Sequence, residues 1–160
     1  MRVYIPVTRS GLRDLVGSGG LGPTPLVGYA VTAALREWYA EGDDEELEYA
    51  ARTDAARAAL TLLAQNHEEP ARRLVLAVDA EAIPDATIGR AGVELSHVVP
   101  MRQVVAVHAD TADAEDDVAA AVEVVRRGGP GDVDEEFVVA SCEAHELAWF
   151  ATQEIGDLLA

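Results

Sequence analysis

Residues 32–57 read TAALREWYAEGDDEELEYAARTDAAR, and the fold is decided by how this stretch is punctuated. Thr32 follows the β-branched and aromatic run LVGYAV (26–31), so it stands where a strand ends and its hydroxyl can accept a hydrogen bond from the first turn of a helix. That places a short helix over 33–40. Gly42 breaks it, and Asp43 with Glu46 offers an acidic capping box for a second, long helix over 44–65. Leu47, Ala51, Ala55, Ala58 and Leu62 recur at spacings of three and four and mark the face expected to be buried. Glu48 and Arg52 form an i,i+4 pair beside that stripe. The carboxylates of Asp44, Glu45 and Glu46 lie where the helix dipole favours negative charge.

Outward from this block, the same order of strand, threonine and helix recurs. It reads RVYIPV-Thr8, then AVHAD-Thr111 and finally ELAWFA-Thr152. A threonine cap after a strand is common grammar and a weak sign of internal repetition, but it implies βα units with short connections. RVYIPV (2–7) is a strand, and Pro6 implies that it lies at an edge or bends near its end. A helix over 9–16 should turn Leu12, Leu15 and Val16 inward. RRLVLAVD (72–79) is nearly all apolar and reads as a central buried strand. GVELSHV (92–98) and QVVAVH (103–108), separated only by Val99-Pro100-Met101 and Arg102, read as an antiparallel pair. Residues 111–127 form a helix with Val118, Ala121, Val122 and Val125 inward. Residues 134–144 permit a helix, although Phe137, Val138 and Val139 also permit a strand. The expected architecture is α/β in the α+β sense: one domain over 1–160, a two-layer sandwich with a mixed sheet of five or six strands and helices packed on it, ferredoxin-like in part.

Composition narrows the chemistry. The chain has 160 residues, a net charge of −17 and no lysine at all, its twelve basic residues being arginine. Without lysine there is no Schiff base, no pyridoxal-phosphate lysine and no phosphate-loop lysine. An acidic surface disfavours nucleic acid and anionic lipid as partners, because phosphate binding needs a basic face. Cys142 is the single cysteine, which excludes an intrachain disulfide. No apolar run reaches the roughly 18 residues of a membrane span. The N-terminus reads as strand and helix, not as a signal peptide, so a cytoplasmic protein without a membrane partner is expected.

The segments RVYIPVT, ALREWYAEGDDEELEYAA, RRLVLAVD and WFATQEI resemble an uncharacterised family of small proteins from high-GC Gram-positive bacteria. The resemblance spans most of the chain and is least distinctive over 82–92 and 128–142. Relatives often carry proline after the second-strand threonine, where this chain has Ala33, an exchange that suits a first helical turn. The resemblance implies no activity, cofactor or catalytic residue.

Two groups of residues point to function. Arg36, Trp38 and Tyr39 share a helix of about two turns, and an exposed Trp-Tyr pair beside an arginine is a typical interface anchor. The competing reading packs Leu35, Trp38 and Tyr39 against the long helix. His108 and Asp110, with Asp113 and Glu115, gather at a strand end where a helix starts, and His145 follows Cys142 at ligand-like spacing. These residue types suit acid–base chemistry or a divalent cation. Capping and solvation account for the carboxylates equally well, and a buried cysteine beside a surface histidine accounts for the other pair. The run 41–48 carries carboxylates that fan from a helix start, unlike a calcium loop. Gly17–Pro23 follows a helix and precedes a strand, the reverse of a phosphate cradle. The sequence therefore favours a non-catalytic, acidic protein-interaction or regulatory module without a cofactor or metal, binding through Arg36, Trp38 and Tyr39. The alternative is a small metal-dependent or acid–base enzyme using His108, Asp110 and His145. Self-association into a homo-oligomer stays open.

Overall fold

The computed structural model describes residues 1–160. In chain order it holds β1 (Arg2–Val7), α1 (Arg9–Ser18), β2 (Gly20–Leu21), β3 (Leu26–Tyr29), α2 (Ala33–Trp38), α3 (Asp44–Ala64), β4 (Leu74–Asp79), β5 (Ile83–Pro84), β6 (Gly92–Leu95), β7 (Val99–Pro100), β8 (Val104–Ala109), α4 (Glu115–Arg126), α5 (Val133–Glu143), β9 (Ala148–Ala151) and α6 (Ile155–Leu159). Seven strands form one sheet in the order β5-β6-β3-β1-β4-β8-β9, and β2 with β7 form a separate two-stranded ribbon. The protein is α+β with helices on a sheet, as the sequence implies. Every pairing is antiparallel and the sheet has seven strands, where a mixed sheet of five or six with a ferredoxin-like part was expected.

Both faces of the sheet are covered, so the layering is deeper than a two-layer sandwich. Val3, Ile5 and Val7 of β1 and Leu74, Leu76 and Val78 of β4 point to one face, where Leu12 and Leu15 of α1 and Ile155 and Leu158 of α6 meet them. The alternate residues Tyr4, Val75 and Ala77, with Ala106 of β8, point to the other face and receive Leu47, Ala51 and Ala55 of α3. The period-two alternation of each strand makes this division automatic. The C-terminal half of α3 continues past the sheet and packs Leu60 and Leu63 against Val118, Ala121 and Val122 of α4, with Cys142 of α5 behind them.

Several expectations change for identifiable reasons. β1 is a central strand, not an edge. It accepts Pro6 because its ladder to β3 is a single pair, Tyr4 with Tyr29, so the missing N–H has no partner to lose there. Gly28 lets β1 and β3 approach, since a Cβ at that position would stand 2.6 Å from Val3 Cγ1. β6 and β8 are not paired with each other. β6 lies between β3 and β5, and β8 lies between β4 and β9. The residues between them are used on the opposite face, where Val99 pairs with Leu21 and is fully buried. On α3 the buried stripe continues through Ala59 and Leu63 instead of Ala58 and Leu62, following strict i,i+4 steps. Val16 is exposed, and on α4 Val124 is buried in addition to the expected residues, with Val125 partly buried against the same cluster. Residues 133–143 are helical.

The caps show which part of the strand-threonine-helix grammar has physical content. Gly11 N–H donates to Thr8 Oγ1 at 3.0 Å and Leu35 N–H to Thr32 Oγ1 at 3.1 Å. Glu46 N–H donates to Asp43 Oδ1 at 2.9 Å, which is one half of the expected capping box. Thr111 bonds Asp113 and Thr152 bonds Gln153, so neither side chain caps a helix.

Candidate functional site

α3 crosses its face of the sheet with an open trough on each flank. The first lies towards α2 and the β5–β6 connection. Thr32 builds it, because its hydroxyl caps α2 and also donates to the carbonyl oxygen of Arg90, while Ala30 N–H donates to Ala91 at 2.8 Å. These bonds lock α2 against the loop that carries Arg90. The Arg90 guanidinium then lies over the Trp38 ring, 3.6 Å from its centroid, a cation–π contact. Trp38 remains 61% exposed and Tyr39 45% exposed. Leu35 alone of the short helix is buried, so the reading that packs all three residues inward does not describe this chain. Arg36 Nη1 pairs with Asp44 at 3.0 Å, and both side chains are largely solvated.

This trough has a volume of about 1380 Å³ and is lined by Trp38, Tyr39 and Tyr49, by Glu45, Glu46 and Glu48, and by Arg52, Arg57 and Arg90. None of these three glutamates has a cationic partner; Glu48 accepts only a 3.5 Å bond from Tyr4 Oη. The expected Glu48–Arg52 pair is not made. Arg52 instead places its guanidinium 5.8 Å from the ring centroids of Tyr4 and Tyr49. Aromatic surface and unpaired carboxylates therefore share one groove. Replacing Thr32 by Val removes both of its bonds, and we expect a loss of about 1–2 kcal/mol. Urea unfolding measures it, and a red shift of Trp38 emission should accompany it as Arg90 is released.

The second trough, about 340 Å³, lies on the other flank of α3. Its floor is the sheet at β8 and β9, where His108 pairs across to Trp149. Its walls are Tyr49, Arg52 and Arg57 of α3 and the segment joining α5 to β9, with His145 and Glu146. This trough brings together two of the three expected acid–base residues, His108 and His145, but each has other neighbours than expected. The His108 ring meets Tyr4 edge-on at 6.1 Å between centroids. Burial, then Arg52 and Arg2, push its pKa down to about 4, so at neutral pH it is an uncharged ring. His145 Nε2 lies 2.7 Å from Asp117 Oδ2.

Asp110 is held elsewhere. Its Oδ2 accepts from Arg73 N–H at 2.8 Å and from Arg73 Nε at 2.9 Å, and its Oδ1 accepts from Nη2 at 2.7 Å. Both residues are essentially buried. Burial alone would lower the Arg73 pKa, and the bonds to Asp110 more than offset it. The remaining Nη2 donor goes to His145 carbonyl at 2.8 Å, so the pair also fixes the segment that walls the second trough. Asp113 is fully solvated with Thr111 as partner. Burial pushes the Cys142 thiol up to about 11, and His145 meets it only through a backbone bond. Nowhere do three His, Cys, Asp or Glu side chains converge. The sequence offered no signal for the engagement of Arg73 with Asp110, since their contact spans 37 positions.

The neutral His108 has a consequence for stability. Its unfolded value lies near 6.5 and its folded value near 4, so between these the unfolded chain binds more protons. Stability is then fully present above about pH 6.5 and is lost as the pH falls towards 4. With allowance for solvent screening, the effect is on the order of 1–2 kcal/mol. The stability difference between the protein and its His108→Gln variant should shrink or reverse by that amount between pH 7 and pH 4.5 in urea titrations. A difference that stays flat with pH contradicts the burial of an uncharged ring.

A family model described as a family of unknown function (DUF6912) matches residues 1–159. The resemblance to an uncharacterised family drawn from four segments thus holds at that level. No curated protein and no solved structure matches the chain. No helix is long and apolar enough to cross a membrane.

Proposed function

The chain belongs to the DUF6912 family of unknown function, and we propose from the geometry of the first trough that it is a protein-interaction module whose partner presents a basic segment. The observation that supports this most is the coincidence of exposed Trp38 and Tyr39 with Glu45, Glu46 and Glu48, three carboxylates without cationic partners, in one groove. Aromatic side chains of this kind supply much of the binding energy at interfaces. Their faces also attract arginine and lysine, as Arg90 already does on Trp38. The net charge of −17 steers a cationic partner towards the surface and repels an anionic one. Arg36, paired with Asp44, borders the helix break and is an adaptable rim contact.

The test is a paired capture from the native host, using the protein and its Trp38→Ala/Tyr39→Ala variant, with partners identified by mass spectrometry. The reading expects a protein with a basic segment that is retained by the first and lost by the second, and whose retention weakens with salt. Partners captured equally by both forms would contradict it.

A further inference from the structure

We propose that the second trough is a binding site for a small organic anion with a flat body, a planar carboxylate whose head group meets Arg52 and His108 and whose body lies on Trp149. Most charged groups around this trough are already engaged. Arg57 pairs with Glu143 at 3.1 Å, Arg73 with Asp110, and His145 with Asp117. Tyr49 Oη donates to Glu146 at 3.1 Å, joining α3 to the opposite wall. Of the acidic lining Glu143 has a cationic partner and Glu146 only the Tyr49 hydroxyl, and the one cation without a carboxylate partner is the Arg52 guanidinium.

What remains for a ligand is mostly donors. Arg52 has no carboxylate partner although Glu48 lies one helical turn away, and it is held between the Tyr4 and Tyr49 rings. A guanidinium presents a planar fork that fits a carboxylate with two parallel bonds. The His108 ring and the Trp149 indole N–H have no hydrogen-bond partner within the protein. His108 sits in the positive field of Arg52 and Arg2, with Tyr4 of β1 edge-on, Val75 of β4 beside it and Trp149 across the strand pair. An anion placed there faces a neutral donor and a cation, and the Glu146 carboxylate on the opposite wall is held by the Tyr49 hydroxyl.

The shape fits a flat molecule. No helix covers β9, so Trp149 stays 62% exposed at the floor, and Leu147 and Ala56 add apolar wall. About 340 Å³ falls at the lower end of the range for small-molecule sites. The overall negative charge works against anions at long range, but screening confines that repulsion to about 8 Å at physiological salt.

Sodium benzoate is the probe, with benzamide as its neutral counterpart of the same shape. The Trp38→Phe protein leaves Trp149 as the only tryptophan, so its emission reports on this trough alone. The expected result is a saturable change of Trp149 emission with benzoate, at least tenfold weaker binding of benzamide, and movement of the His108 ring resonances in NMR spectra. Arg52→Gln in the same background should weaken benzoate at least tenfold. Arg52→Lys, which keeps charge but not the fork, should fall between. The proposal is overturned if benzoate produces no saturable change, if benzamide binds as well as benzoate, or if Arg52→Gln binds benzoate unchanged while its urea midpoint shows it folded.

Discussion

Asp110→Ala should destabilise the protein by about 3–5 kcal/mol, the usual cost of leaving a buried charge without its partner. Arg73 is 2% exposed, and Asp110 supplies acceptors for its Nε, its Nη2 and its own backbone N–H. Removing the carboxylate leaves a guanidinium that water cannot reach and that cannot shed its proton. Against a typical total of about 5–15 kcal/mol this is a large fraction. For a chain of this length it corresponds to a drop in Tm of roughly 6–20 °C. Replacing both partners, Arg73→Met with Asp110→Leu, removes the stranded charge, and most of the loss should return because a buried pair is worth little against an apolar contact of similar volume. Thermal and urea unfolding of the single and double variants check both statements. A double variant as unstable as Asp110→Ala would mean that the bonds the two side chains make to backbone, from Arg73 N–H to Asp110 and from Arg73 to His145 carbonyl, outweigh the ion pair.

The second large effect concerns binding. Trp38→Ala with Tyr39→Ala should weaken the partner by at least about 100-fold while leaving the urea midpoint nearly unchanged. Each ring at an interface centre is worth on the order of 2 kcal/mol or more, and a factor of 10 is about 1.4 kcal/mol. The fold loses little because the rings are already 61% and 45% exposed, and the main contact removed is Arg90 on Trp38. That contact contributes about 0.5–1 kcal/mol at an exposed site. Equal affinity for the protein and the double variant, measured by calorimetry on the captured partner, would remove these rings from the interface.

Local chemistry was legible in the sequence where it depends on neighbours a few residues apart. Thr8, Thr32 and Asp43 cap the helices they were expected to cap, and the apolar run of β4 is a buried central strand. Sheet order was not legible, because it depends on what lies across the sheet. Pro6 suggested an edge, yet β1 is central because the β1–β3 ladder closes at one residue pair beside the proline. The short connection between β6 and β8 suggested a hairpin. Instead Val99 is needed to cover the opposite face with Leu21.

The candidate site divides along the same line. Exposure of Trp38 and Tyr39 follows from the Thr32 cap and the Gly42 turn, both local, with Gly42 N–H closing back on Tyr39 carbonyl at 2.9 Å. The roles of Asp110 and Arg52 do not. Asp110 looked available for chemistry because its partner Arg73 is distant in sequence, and Arg52 looked paired because Glu48 is near in sequence. In each case a tertiary contact overrides the local one.

Whether the first trough takes a basic segment is decided by a fluorescence titration of the Trp149→Phe protein, in which Trp38 is the only tryptophan, with a short arginine-rich peptide and a glutamate-rich peptide of equal length. The account predicts a saturable change of Trp38 emission with the basic peptide alone, weakened by salt and lost in the Glu45→Gln/Glu46→Gln/Glu48→Gln variant. No saturable change with the basic peptide, or the same change with the acidic one, would contradict the assignment of this groove as a site for a basic protein segment.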